Sequence, residues 1–227
     1  MRKIFFALAL IVGLIFSANQ TQAAETPQWI KNLPAAKNAS QILVIAQLGE
    51  KTTAWISMHE KNSAGNWQEI ITTPGLIGKN GLGKTREGDA KTPVGIFHFN
   101  KAFGILPDPQ CAIPYTQVDE NIYWSGDANY KYNQLIDIRD FPNLNKNDSE
   151  HLIDYIFEYK YALNISYNEN GTAGAGSAIF LHCFGAKKTW TGGCVAIPQA
   201  QMLKVMQTVK PECVVVIDTL ENLGGTI

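Results

Sequence analysis

The side chains best suited to covalent chemistry in this chain are a histidine and a cysteine, twelve positions apart. His182 closes the apolar stretch 178–181, and Cys194 follows Gly192 and Gly193. A thiolate can attack a carbonyl group while an imidazole removes and returns the proton. The two glycines let the backbone approach a ligand and leave N–H groups free to hold an oxyanion. We therefore expect a cysteine acyltransferase with Cys194 as nucleophile and His182 as base.

The same residue types also permit structural or metal-binding roles. A buried cysteine usually behaves as a small apolar side chain, and a histidine at the end of a strand can simply be packed. His182, Cys183 and Cys194 are zinc ligand types, but the sequence has no paired Cys-x-x-Cys motif, so no metal or other cofactor is predicted. Cys111 and Cys213 form the one disulfide pair that would spare the predicted site, and the sequence leaves their state open.

The N-terminal residues and the composition predict an exported, single-domain protein. Arg2 and Lys3 precede an apolar run at 4–16, and small residues follow near Ala23, as in a signal peptide spanning 1–23. An uncleaved membrane anchor is the alternative. A net charge of −1 and 45% hydrophobic residues argue against a nucleic-acid partner and against a disordered chain. We expect the mature protein in the periplasm or cell wall, with no stable membrane span after cleavage.

Most of the mature chain predicts short strands. A linker at 24–40 leads to an apolar run at 41–46, and the segments 53–60 and 67–73 flank a five-residue loop typical of a β-hairpin. Further runs are rich in Ile, Val, Phe and Tyr, which suit a pleated, half-buried surface. These runs lie at 95–99, 134–138, 163–167, 178–181 and 213–218.

Two segments predict helices. The first would begin at Asp148 or Ser149, with His151 exposed in its first turn, and the second would run from Pro198 to just before Pro211. The first would place four apolar residues on one face: Leu152, Ile153, Ile156 and Phe157. Because strands outnumber helices, the domain at 41–227 is expected to be mainly β, a sandwich or open barrel with helices packed at one side.

Two loops contain further candidate residues. The glycine-rich loop 78–95 superficially matches a phosphate-binding loop, but no helix follows its glycines, so a nucleotide site is not expected. Arg86 and Lys91 in this loop are instead predicted to offer cations to a substrate carboxylate, or else to be solvated. Trp124 and Tyr132 in the loop 103–133 are expected either to pack beneath it or to form a substrate wall.

Three ordered motifs resemble the YkuD-type L,D-transpeptidases, in particular their branch with a short His-to-Cys spacing. The first motif is 83–89 leading into 91–97, and the second is the pattern of aromatic residues and prolines within 103–133. The third is an apolar strand, His182, a loop and the Thr-x-Gly-Cys sequence at 191–194. The resemblance runs from about residue 41 to residue 218, nearly all of the mature chain.

The resemblance implies an acyl transfer on the stem peptides of peptidoglycan. Cys194 would attack the carbonyl of the third stem residue and release the terminal D-alanine, and the side-chain amine of a neighbouring stem would take the acyl group to form a 3→3 cross-link. The backbone carbonyl of Cys183 matches the position that orients His182. The N–H groups of Gly193 and Cys194 match the oxyanion site, and Thr191 and Gly192 would contact the substrate. Carbapenems would acylate the same thiol.

Two departures from the family pattern leave the acceptor and the fate of the acyl group open. Much of the family has Ser-His-Gly-Cys at the nucleophile and an arginine two residues later, where this chain has 191–194 and Ala196. Hydrolysis of the acyl-enzyme would give an L,D-carboxypeptidase or amidase. A non-catalytic wall-binding protein is the third reading. Thiol reactivity tests it, because an activated cysteine alkylates well below the ordinary thiol pKa of about 8.5.

Overall fold

The fold was obtained as a computed structural model, which describes residues 24–49 and 52–226. The predicted signal peptide at 1–23 lies outside the described residues. Within the described ranges, no helix is both long and apolar enough to cross a membrane.

Strands provide most of the regular structure, as the sequence predicts. The two α-helices are α1 (Gln28–Lys31) and α2 (Gln199–Thr208). The strands are β1 (Gln41–Gln47), β2 (Thr53–Lys61), β3 (Trp67–Leu76), β4 (Gly95–Gly104), β5 (Tyr115–Gln117), β6 (Ile122–Trp124), β7 (Leu135–Asp137), β8 (Glu150–His151), β9 (Ala162–Ile165), β10 (Phe180–Cys183), β11 (Val195–Ile197) and β12 (Val214–Thr219). Short 3₁₀ turns occupy Pro34–Lys37, Lys146–Asp148, Leu152–Asp154 and Glu158–Lys160.

The main sheet closes on itself. Its nine strands run in the order β12-β1-β2-β3-β11-β10-β9-β4-β5, and β12 also pairs with β4, which joins the two sides into a barrel. The predicted mainly β class is therefore confirmed, and the barrel is closed rather than open. Its interior is filled by branched apolar side chains such as Leu43, Ile56 and Leu181. Helix α2 adds Met202 and Met206 to this core.

A smaller sheet covers part of the barrel's outer surface. It has the strand order β7-β6-β8 and lies within residues 105–161, which we call the facing segment. Phe103 and Phe180 point outward from the barrel and pack against Trp124, Leu152 and Tyr159 of this segment. The gap between barrel and facing segment is where the predicted nucleophile lies, because Cys194 belongs to the same cluster.

The segment at 24–40, predicted as a linker, packs against the opposite side of the barrel. Ile30 and Leu33 are buried against the outward side chains of β1, including Ile42 and Val44. His59, on β2, is fully buried here and hydrogen bonds through Nδ1 to Thr26 Oγ1 at 3.0 Å. These contacts tie the N-terminal residues to the domain.

The predicted hairpin and second helix are confirmed, whereas the predicted helix beginning at 148 is wrong. Glu150 and His151 form β8, which pairs with β6, and only 3₁₀ turns follow. The helical spacing of apolar residues was misleading, because Leu152 is buried while Ile156 is 58% exposed. His151 is half-buried rather than exposed, and its ring stacks on Tyr123 at 4.4 Å between centroids.

Candidate active site

Strand β10 directs neighbouring side chains to opposite surfaces of the barrel. Side chains alternate along a strand, so Leu181 and Cys183 point into the barrel while Phe180 and His182 point towards the facing segment. Burial raises the pKa of the Cys183 thiol to about 11, and its Sγ lies 3.8 Å from the carbonyl oxygen of Tyr161. The cysteine adjacent to His182 is thus a core residue.

The backbone fixes the tautomer of His182. Its Nδ1 lies 2.7 Å from the carbonyl oxygen of Cys183, which can only accept, so Nδ1 carries the proton and Nε2 presents a lone pair. The ring also packs edge-on against Tyr159, with 5.6 Å between centroids. Burial lowers the pKa of His182, although the Cys183 hydrogen bond and the charge of Glu158 oppose this. The imidazole is therefore neutral at neutral pH and able to accept a proton.

The thiol of Cys194 is also neutral in this arrangement. Its Sγ donates to the carbonyl oxygen of Ala178 at 3.1 Å and accepts the N–H of Phe180 at 3.3 Å. Burial raises the pKa of this thiol and the charge of Glu150 raises it further, while Phe180 N–H and Lys84 lower it. The resting site thus holds a neutral thiol and a neutral imidazole on the lining of one cavity, rather than the activated cysteine that the alkylation test above assumes.

The turn before Cys194 is held by two threonines. Thr191 Oγ1 donates to the carbonyl oxygen of Cys194 at 2.6 Å and accepts the N–H of Gly193 at 3.2 Å. Thr92, which is fully buried, donates to the carbonyl oxygen of Gly193 at 2.8 Å. Gly193 has φ +143°, and a Cβ there would lie 2.8 Å from the carbonyl oxygen of Lys91. Glycine is therefore required at 193 by conformation and by space.

A cavity of about 580 Å³ opens between residues 180–197, which we call the nucleophile strands, and the facing segment. Five of the predicted site residues line it: Trp124, His182, Thr191, Gly192 and Cys194. A Cβ on Gly192 would meet no atom within 4 Å, so this glycine leaves space beside the nucleophile. Of the described residues predicted to bind substrate, Arg86, Lys91 and Tyr132 lie outside the lining.

These outlying residues contact the site indirectly. The backbone carbonyl of Lys91 lies close to Gly193, whereas the side chain of Arg86 is exposed. The hydroxyl of Tyr132 donates to Glu87, whose carboxylate also accepts the Ser177 hydroxyl at 2.8 Å. Burial raises the pKa of Tyr132 to about 12, and the hydrogen bond to Glu87 adds to the shift, so this hydroxyl remains a donor.

Several charged residues of the cavity escaped the sequence analysis. They lie on loops, 3₁₀ turns or the two-residue strand β8, which are too short for a periodic pattern to mark a direction: Lys84, Glu87, Asp148, Glu150, Glu158 and Lys188. Lys84 could have been predicted most readily, because Asp89, which carries the opposite charge, follows it in the motif 83–89. The two side chains form a buried ion pair at 3.0 Å. Asp89 also accepts the N–H groups of Thr85 and Lys91, which shapes the loop.

Asn133 joins the two walls of the cavity. Its Oδ1 accepts the indole N–H of Trp124 at 2.9 Å and the backbone N–H of Ala178 at 3.0 Å. Ala178 has φ +54°, a conformation that costs an L-residue about 1 kcal/mol or more. The carbonyl of Ala178 is the group that accepts the Cys194 thiol. The orientation of the Cys194 thiol therefore depends on a side chain from the facing segment.

The described residues contain no cluster of three or more His, Cys, Asp or Glu side chains suited to a metal ion. All four cysteines are free thiols, including Cys111 and Cys213.

Comparison with known proteins identifies the family. The profile of the YkuD family, described as the L,D-transpeptidase catalytic domain, matches residues 43–217. The chain therefore belongs to the YkuD family of L,D-transpeptidase catalytic domains. A search of curated proteins found no match.

Solved L,D-transpeptidase structures are similar at low sequence identity. L,D-transpeptidase 1 of Mycobacterium tuberculosis is 11% identical, with 79% of this chain and 61% of that chain covered and a TM-score of 0.38. An L,D-transpeptidase from Mycobacterium smegmatis is 10% identical, with 80% and 59% covered and a TM-score of 0.39. The Ldtfm–avibactam carbamoyl enzyme is 13% identical, with 79% and 49% covered and a TM-score of 0.35. This chain spans about half to three fifths of those proteins.

Proposed function

We propose that the protein is a peptidoglycan L,D-transpeptidase that forms an acyl-enzyme through Cys194 and transfers the acyl group to an amine, giving a 3→3 cross-link. One observation carries the proposal. The Cys183 carbonyl holds the proton on Nδ1 of His182, so the free lone pair of Nε2 is available in the cavity that also exposes the Cys194 thiol.

Acylation then follows from the two neutral groups. As Sγ of Cys194 attacks the carbonyl of the third stem residue, its proton leaves for Nε2 of His182. A C–S bond forms, the peptide C–N bond breaks, and the imidazolium returns the proton to the departing D-alanine amine. The thiol must first release the carbonyl of Ala178. An oxyanion at Gly193 would compete with Thr191 Oγ1 for the Gly193 N–H.

The cavity suits a branched, charged peptide. Its volume of about 580 Å³ lies within the range of 300–1,000 Å³ that is usual for small-molecule sites. Lys84 and Lys188 place cations in it, whereas Glu87, Glu150 and Glu158 place carboxylates there. A stem peptide carries both carboxylate and ammonium groups. We propose an extracytoplasmic location, where such peptides are found and where the signal-like N-terminus would direct the chain.

The direct test is product analysis with a labelled tetrapeptide muropeptide. The proposal predicts release of D-alanine and a cross-linked dimer, and loss of both in Cys194→Ala. Cys183→Ala is the matched control: it removes a thiol eleven residues away that points into the core, and turnover should persist. A tripeptide product without dimer would indicate an L,D-carboxypeptidase instead. Absence of either product from the wild-type protein would contradict the proposal.

A further inference from the structure

The facing segment brings a carboxyl group into the cavity of the nucleophile. Glu150 lies in β8, directly opposite Trp124 of β6 in the small sheet. Both residues line the cavity together with Cys194. The negative charge of Glu150 is near enough to raise the pKa of the Cys194 thiol. The acylation step described above requires only Cys194 and His182, so it leaves this carboxyl group without a role.

One oxygen of the Glu150 carboxyl group is held by a hydrogen bond. Its Oε2 accepts a hydrogen bond from the hydroxyl of Tyr159 at 2.7 Å, and the ring of Tyr159 packs edge-on against His182. Within the described part of the chain, Oε1 makes no hydrogen bond. Glu150 is therefore anchored beside the proposed base and keeps one oxygen available for a ligand.

The surroundings of Glu150 bring its pKa close to neutral pH. Burial raises its pKa to about 7, the Tyr159 hydrogen bond opposes the shift, and the charge of Glu87 adds to it. Tyr155 and Cys194 also lie within electrostatic range of the carboxylate. A group with a pKa near the working pH can both accept and release a proton, which is the property required of a general base.

The charge balance of the cavity favours a cation. Four carboxylates line it against two lysines, and one of those lysines, Lys84, is already paired with Asp89. A cavity with excess negative charge attracts ammonium groups. An alkyl amine has a pKa of about 10.4, so the acceptor of an acyl group arrives protonated and must lose a proton before its nitrogen can attack.

We propose that Glu150 receives the acceptor amine: its carboxylate binds the acceptor's ammonium group and takes one proton from it. The proposal rests on the proposed function and concerns only the second half-reaction. The ammonium and the Glu150 carboxylate become a free amine and a carboxylic acid. The amine attacks the thioester, a C–N bond forms, and the C–S bond breaks. The second amine proton passes through His182 to the sulfur, which regenerates neutral Cys194 and His182, and Glu150 releases its proton to water.

The test separates the two half-reactions in Glu150→Gln, whose amide can still accept the Tyr159 hydrogen bond. Acylation is measured as D-alanine release from a tetrapeptide muropeptide, and transfer as dimer formation with a tripeptide muropeptide as amine. Acylation should be unchanged or faster, because loss of the charge lowers the pKa of Cys194. Transfer should fall by about 10²-fold or more. Hydroxylamine, which arrives uncharged at neutral pH, should accept the acyl group equally well in both proteins.

Glu221→Gln is the matched control, because it removes the same charge from an exposed position outside the cavity lining. The proposal is overturned if Glu150→Gln transfers at the wild-type rate. It is also overturned if acylation and hydroxylamine transfer fall in parallel, or if Glu221→Gln gives the same loss. A wild-type protein that acylates and yields only hydrolysed product would instead overturn the transfer function, and the Glu150 proposal with it.

Discussion

The two walls of the cavity are built in different ways. The nucleophile strands, residues 180–197, place His182 and the turn before Cys194 on paired β-strands that also form the barrel core. The facing segment has three short strands in its own sheet, joined by turns and 3₁₀ helices. The nucleophile strands carry His182 and Cys194, the two groups proposed to make and break bonds. The facing segment supplies most of the aromatic residues and most of the carboxylates that surround them.

In the proposed mechanism, the nucleophile strands carry out the reaction, whereas the facing segment recognises the substrate. The nucleophile strands are held by neighbouring strands and by the hydroxyls of Thr92 and Thr191, so their geometry resists change. The facing segment meets them through few polar links, of which Asn133 is the best defined. Substitutions at His182 and Cys194 should therefore affect acylation, whereas substitutions in the facing segment other than at Asn133 should affect stability or the choice of acceptor.

The largest effect is expected at His182. His182→Ala removes the only base that the proposed acylation uses, so the acylation rate should fall by about 10²- to 10⁴-fold while the fold survives. Stopped-flow acylation and thermal unfolding would measure the two quantities. His98→Ala, which changes a half-exposed histidine on β4, should leave both unchanged. Full activity in His182→Ala would remove this residue from the mechanism, and unfolding of the variant would indicate a packing role.

The next effect concerns the stability of the facing segment. Trp124 is 1% exposed and packs against Phe103 and Phe180, so Trp124→Ala should lower the free energy of unfolding by about 3–5 kcal/mol. Trp190→Ala is the control, because Trp190 is only partly buried at the cavity and should cost less than about 1 kcal/mol. Chemical denaturation measures both. Equal losses in the two variants would show that the facing segment does not depend on Trp124 for its packing.

A smaller but diagnostic effect is the pH dependence of alkylation at Cys194. Burial raises the pKa of this thiol in the folded protein, so the thiolate fraction is small at neutral pH and grows with pH. Alkylation by iodoacetamide should rise about tenfold per pH unit up to pH 9, whereas the urea-unfolded chain should level off near its ordinary pKa of about 8.5. A plateau below pH 7 in the folded protein would mean that a thiolate–imidazolium pair is formed in advance.

The smallest effects are expected for the loop cations Arg86 and Lys91. Neither side chain lines the cavity in the described structure, so Arg86→Ala and Lys91→Ala should each keep kcat/KM within about twofold. Lys188→Ala, which removes a cation that does line the cavity, should raise KM more than it lowers kcat. A large rise of KM in either loop variant would show that the loop reaches the substrate during turnover.

The sequence predicted the barrel strands and helix α2 better than it predicted the facing segment. Strand periodicity located the hairpin and the apolar strands, because their side chains alternate between a core and another surface. Pro198 and Pro211 marked the limits of helix α2. The same alternation explains why Cys183 points away from His182 and into the core. In the facing segment, Leu152 is buried by residues that are distant in sequence, so its spacing to Ile156 did not indicate a helix. Glu150 could not be found, because its position depends on pairing between β6 and β8.

The central claim is that Cys194 is the nucleophile, and acylation by a carbapenem tests it most directly. The four thiols differ in surroundings, and Cys194 alone lines the cavity with His182. Intact-mass analysis should show a single adduct, and peptide mapping should place it on Cys194. The adduct should disappear in Cys194→Ala and persist in Cys183→Ala and Cys213→Ala. An adduct on another cysteine, or muropeptide turnover by Cys194→Ala, would contradict the account.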